Sequence, residues 1–190
     1  MKYKDESKIE ALTKATVELV FQSGLAGITM SKVAKQAKIA TGTVYIYFKS
    51  KDELLTHVFM AVKKRSLEVV IEDIDFTKPF LPTMKRLWLN FFHYSLKNQK
   101  ESVFVEQFKY SPFIQRLDMK DIEEFERPIS SFLEVGKQEL LIKNEENSLL
   151  YGSILGITRE MAKLIYEHTI ELNETTEDRM FKMVWDSIKN

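Results

Sequence analysis

The chain has 190 residues, 44% of them apolar and 12% aromatic, enough to fill one compact core or two small ones and too apolar for an intrinsically disordered chain. Six glycines and four prolines are too few for the many turns of a sandwich or barrel, which points to an all-α fold, and the absence of cysteine excludes disulfides, thiolate nucleophiles and cysteine-based metal ligation. Net charge is zero, yet residues 1–65 carry 12 basic and 6 acidic side chains while the remainder carries 16 and 22; this suits a basic nucleic-acid module joined to a body with another task, or a solvated basic face.

The N-terminal segment MKYKDESKIE lacks the apolar run of a signal peptide, and no stretch reaches the roughly 18 apolar residues that cross a bilayer, so a cytoplasmic protein without a membrane span is expected. From Lys8 to Phe21, Ile9, Leu12, Leu19 and Val20 recur at helical spacing, and Gly24 suits the residue after a helix end. Thr29 is placed to cap a short second helix that turns Val33, Ala34 and Ala37 inward and ends near Lys38. The next segment, ATGTVYIYF at 40–48, reads as a strand by local propensity, being rich in β-branched and aromatic residues, but no partner strand lies nearby.

Ser50 and Glu53 form a capping box that opens a long helix reaching about Ile71. Pro79 and Pro82 interrupt the pattern at DIDFTKPFLP, with Pro82 suited to start the following helix. Further helices are expected over 83–98, 102–110, 119–141, 147–168 and 177–189, with Pro128 kinking or splitting the third of these, for about nine helices in all.

Taken together, TMSKVAKQAKIATGTVYIYFKSKDE at residues 29–53 resembles the helix-turn-helix of the TetR family of transcriptional regulators, through Ala37, Ile39, Gly42, Thr43, Val44, Tyr45, Tyr47, Phe48, Lys49 and Lys51. The resemblance assigns helix to TVYIYF against local propensity and implies a three-helix DNA-binding domain at 1–50. A long helix would join it to a helical effector-binding and dimerisation domain at 51–190. Lys38 departs from the family's frequent glycine in the turn, where a positive φ is convenient. Ile46 departs too, standing where a polar or aromatic DNA-facing residue is common.

The residue types suit DNA. Thr41, Gly42 and Thr43 at the start of the recognition helix let backbone approach the major groove, where a helix N-terminus favours phosphate. Threonine hydroxyls can bond phosphate or base edges, and Tyr45 and Tyr47 can reach phosphate oxygens. Thr29 and Lys51 sit at helix starts where the resemblance implies clamping of the flanking backbone, with Lys49 beside them. Plainer roles stay open: Tyr47 packing on the connector helix, Thr29 capping as well as clamping, Lys49 and Lys51 merely solvated, Gly42 serving helix packing.

In the body, Phe59, Trp88, Phe91, Phe92, Phe104 and Phe108 form aromatic stripes at helical spacing. They are core, or they line an apolar effector cavity in which Glu106, Gln107 or His93 orients a hydrophobic or aromatic guest. Gly152, Gly156, Phe181 and Trp185 on the last two helices belong either to a four-helix homodimer interface, as the resemblance implies, or to packing within one chain. The histidines His57, His93 and His168 lack paired-ligand spacing, and no phosphate loop or nucleophile elbow occurs, so no catalytic residue, metal or cofactor is expected. The expected partners are double-stranded operator DNA, a small-molecule effector and a second copy of the chain. The competing reading is a helical lipid-binding protein or enzyme with no DNA role, which salt dependence of DNA binding would separate.

Overall fold

The computed structural model describes residues 5–190, apart from the side chain of Met119. Among these residues there are nine α-helices and no strand: α1 (Glu6–Ser23), α2 (Met30–Gln36), α3 (Thr41–Tyr47), α4 (Lys51–Val70), α5 (Phe80–Lys97), α6 (Gln99–Lys109), α7 (Met119–Gln138), α8 (Asn147–Tyr166) and α9 (Glu174–Ile188). Short 3-10 turns cover Leu25–Gly27 and Pro112–Arg116. The all-α expectation therefore holds.

Local chemistry explains several helix ends. Asp5 accepts from the Ser7 N–H, Thr29 from the Lys32 N–H and Asn173 from the Thr176 N–H, each relieving one of the unpaired donors of a first turn. Three helices, α2, α7 and α8, close without glycine: Lys38, Leu140 and His168 take φ of 55°, 58° and 53°. In each case the next residue's N–H reaches back five positions, to Ala34, Gly136 and Leu164 respectively, which satisfies carbonyls that would otherwise be orphaned. Of the two outcomes expected at Pro128, splitting does not occur, since α7 runs through it as one helix. One expectation changes: α5 begins at Phe80, before Pro82, because proline is tolerated in a first turn whose N–H groups have no helical partner.

The chain divides into two compact units, Met1–Arg65 with Asn98–Asp118, and Ser66–Lys97 with Met119–Asn190. The division falls inside α4 and brings α6 into the first unit, whereas the sequence reading drew its boundary at residue 50. The physical reason is aromatic packing: Phe59 of α4 stacks on Phe108 of α6 at 4.4 Å, and Phe104 lies 6.1 Å from Phe108, all three sealed from solvent. Arg65 adds ion pairs to Glu10 of α1 at 3.2 Å and to Glu101 of α6 at 2.6 Å.

The second unit is built around a different cluster. Trp88 and Phe92 stack at 5.0 Å on α5, Phe181 of α9 tilts against Trp88 at 5.6 Å, and Phe80 stacks on Phe132 of α7 at 4.4 Å. The buried Trp88 indole N–H donates to Thr158 Oγ1 at 3.0 Å, and Thr158 donates in turn to the Ile154 carbonyl, so no polar atom of this pair is stranded. Gly136 is needed here, since a Cβ on it would lie 2.3 Å from the Phe80 ring.

Candidate nucleic-acid interface

The helix-turn-helix assembles from α1, α2 and α3, with α1 packed on α2 and α2 on α3. Val33, Ala34, Val44 and Phe48, expected as its small core, are 4% exposed or less, and Ile39 is half-buried. Segment 41–47 is helical, as the family pattern required and local propensity did not. Each β-branched residue costs α3 a few tenths of a kcal/mol. Burial of Val44 and Tyr47, three residues apart on one face, outweighs that, and the closed end of α2 fixes where α3 must start.

The turn between α2 and α3 puts Lys38 in the left-handed region, the conformation for which the family favours glycine. Lysine tolerates it because the Lys38 and Ile39 N–H groups close on the carbonyls of Lys35 and Ala34 at 3.1 and 2.9 Å.

The expected DNA-facing residues separate by exposure. Thr29, Thr41, Gly42, Tyr45 and Lys49 are exposed, Thr43 is half-buried, and Tyr47 is only 8% exposed, so its ring belongs to the core beneath the helix. Thr29 Oγ1 accepts from the Lys32 N–H at 3.2 Å and is a helix cap. No atom within 4 Å would meet a Cβ on Gly42, so packing inside the chain does not require glycine there.

Lys51 is not simply a solvated lysine. Its half-buried ammonium donates to the Leu25 carbonyl at 2.9 Å and lies 5.8 Å from the centre of the Phe113 ring. Gln107 of α6 accepts from the Leu25 N–H at 3.1 Å, so both polar groups of that turn residue are held by side chains more than 25 positions away. No local pattern announces these braces, because their partners meet only in the folded unit. The Ser50–Glu53 cap forms in a variant way: Ser50 Oγ accepts from the Glu53 N–H at 3.1 Å, while the Glu53 carboxylate reaches past it to the Lys49 N–H at 2.7 Å.

The aromatic residues expected around an effector divide between the units. Phe59, Phe104 and Phe108 are core of the first; Trp88 and Phe92 are core of the second, with Phe91 half-buried against it. The two stripes have different partners, Phe181 with Thr158 for Trp88 of the 88–92 stripe and Phe59 for Phe108 of the 104–108 stripe. On the last helices, Phe181 is 8% exposed and packs in the second core, and Trp185 is half-buried, 6.3 Å from the Phe80 ring. Gly152 and Gly156 behave differently, since a Cβ on either would meet nothing within 4 Å. They share a face of α8 with Leu149, which is 58% exposed.

Among the described residues no group of three His, Asp or Glu side chains is placed to hold a metal ion, and no helix is long and apolar enough to cross a membrane.

Comparison with known proteins agrees with this architecture. Residues 12–58 match the family model of bacterial regulatory proteins, tetR family, and residues 79–189 match that of the tetracyclin repressor-like C-terminal domain. An uncharacterized HTH-type transcriptional regulator of Haemophilus influenzae is 34% identical over 103 residues, covering 54% of this chain and 55% of that protein. The fatty acid metabolism regulator protein of Bacillus subtilis is 38% identical over 67 residues, 35% of this chain and 34% of that one. The chain thus spans about half the length of these relatives or less. In fold, a TetR family transcription regulator from Marinobacter aquaeolei superimposes with a TM-score of 0.86 over 100% of both chains at 24% identity. Family and neighbours are regulators rather than enzymes, which sets aside the reading of a carrier or enzyme without a DNA role: the chain belongs to the TetR family of DNA-binding, helix-turn-helix transcriptional regulators.

Proposed function

We propose that the chain acts as a homodimeric cytoplasmic repressor that leaves a near-palindromic operator when a small hydrophobic or aromatic effector binds its helical body. The observation that carries the reading is the outer face of α3, where Thr41, Gly42 and Tyr45 stand exposed although nothing in the fold needs them there. Thr41 and Tyr45 serve as hydrogen-bonding groups for phosphate and base edges, Thr29 and Lys49 hold the flanking backbone, and Thr43 and Tyr47 contribute through the parts of their side chains left accessible.

Dimerisation is supported by the open α8 face of Leu149, Gly152 and Gly156, together with Met183 of α9, which is 61% exposed. Bare backbone beside exposed aliphatic groups suits close contact with a second copy, which would set two recognition helices about one DNA turn apart, roughly 34–36 Å. An effector is supported by Tyr151, whose buried hydroxyl has no hydrogen-bond partner among the described residues in the aromatic-rich second unit. Burial, then the nearby Glu126 charge, pushes that phenol well above its ordinary range, so it stays a neutral group with a hydrogen bond to give. A guest that binds better to one separation of the recognition helices shifts the population by its differential affinity.

The test is selection of bound sequences from random duplex DNA, repeated with a panel of small apolar and aromatic metabolites. A near-palindrome with half-sites one turn or a multiple apart, released by one class of compound, is expected. Sequence-independent binding without half-sites would overturn the operator reading. Lys49→Ala should lower the salt slope of binding by about one unit.

A further inference from the structure

Ile46 is the most exposed apolar side chain of α3, at 64%, beside Tyr45 at 52%. It adds nothing to the core, and a β-branched residue in a helix of seven residues lowers helix stability. Single exposed aliphatic residues are common on protein surfaces and by themselves mean nothing; the position is what matters here. Gly42 lies four residues earlier, so the two share one helix face. Glycine also weakens a helix, and no atom within 4 Å of the missing Cβ explains it. The helix that reads DNA thus presents bare backbone followed by a branched aliphatic group, at two positions where its own stability would favour other residues.

An aliphatic group entering the major groove meets hydrogen-bonding edges that it cannot satisfy and one apolar feature that it can, the methyl on C5 of a pyrimidine. Against cytosine it would shield the N4 amino group from water without replacing the lost hydrogen bond. Its stiff χ1 leaves little rotamer freedom to lose on contact. We propose that Ile46 is a specificity-determining residue that packs on the C5-methyl group of one pyrimidine in each half-site, which in unmodified DNA is a thymine. The removal of side-chain bulk at Gly42 lets the helix approach closely enough for that contact. This inference rests on α3 being the recognition helix and goes beyond it in naming the group that is read.

The experiment uses the purified full chain and the duplex obtained by selection. Each thymine is replaced by deoxyuridine, symmetrically in both half-sites, which removes the methyl and nothing else; a second series places cytosine or 5-methylcytosine opposite guanine. At one position per half-site, deoxyuridine should weaken binding about fourfold per methyl, about fifteenfold for the pair, the value of one desolvated methyl group. At that position 5-methylcytosine should bind better than cytosine. Ile46→Ala should bind the thymine and deoxyuridine duplexes equally, while Ile46→Val should keep most of the discrimination. Neither variant should melt below the parent, since Ile46 is outside the core, and Ile46→Ala should melt slightly above it because alanine is the better helix former. Indifference of the parent to deoxyuridine at every position, or an undiminished penalty in Ile46→Ala, would overturn the proposal and leave DNA binding by α3 standing. Failure to select any sequence would strike at the recognition helix itself and at this inference with it.

Discussion

The recognition helix and the second unit use bulky side chains in opposite ways. On α3, Tyr45 and Ile46 are 52% and 64% exposed, with Gly42 open beside them. In the second unit, Trp88 and Phe92 are at most 2% exposed, the indole N–H has a partner in Thr158, and Gly136 is pressed against Phe80. The same residue types therefore mean different things. Around Trp88, Phe92 and Gly136, where the apolar surface is covered and the glycine is crowded, the residues are explained by stability. Where large side chains stand in water and a glycine has empty space around it, stability would have chosen otherwise, and the explanation has to come from a partner.

If that distinction is right, the largest effects on stability lie in the second unit. Phe92→Ala should cost about 3–5 kcal/mol in denaturant unfolding, because it empties a site sealed by Trp88 and its neighbours. A cost near 1 kcal/mol would mean that the cluster encloses space already. Gly136→Ala should cost about 1–3 kcal/mol even though alanine is the better helix former, since its Cβ would sit 2.3–2.4 Å from ring atoms of Phe80.

A smaller effect is expected at Tyr166, whose hydroxyl donates to the Ser95 carbonyl at 2.5 Å and to that of Leu96, two carbonyls in the last turn of α5. Tyr166→Phe should cost about 1 kcal/mol at neutral pH. Burial raises this phenol from 10.0 to about 12. The folded state therefore holds the proton more tightly than the unfolded one. The resulting stability is complete below pH 10 and is lost as pH rises toward 12, a loss that Tyr166→Phe should reduce in alkaline melts.

The sharpest contrast with Gly136 is Gly42→Ala. With open space around the new methyl it should stabilise the fold by about 0.5 kcal/mol, and it should nevertheless weaken DNA binding. Unchanged affinity would remove Gly42 from the interface. An equally small change is expected for Lys38→Gly, which relieves a left-handed lysine but adds unfolded-state entropy, for a net gain of about 0.5 kcal/mol seen as a slightly higher melting temperature.

Much of this molecule was legible in the residue order because local rules act over a few positions. Helical spacing marks α1, α4 and α8; Thr29 and Ser50 announce their caps; and Lys38 stands in the turn where a positive φ was expected. The pattern around 29–53 even overrode the local signal at TVYIYF, whose β-branched residues say strand. It encodes what those residues face, with Val44 and Tyr47 turned inward, rather than what their backbones prefer.

Tertiary structure alone decided how distant segments share a core. Phe104 and Phe108 have the same spacing whether they face α5 or α4, and only the folded chain pairs them with Phe59. Lys51 reads as a solvated cation until the Leu25 carbonyl and the Phe113 ring are brought beside it. The three glycines Gly42, Gly136 and Gly152 are alike in sequence, each inside a helix, and differ only in what occupies the place of the absent Cβ. Periodicity specifies which side of a helix is buried. It carries no information about which other helix buries it, because that is settled by the competition of whole faces for one another's apolar surface.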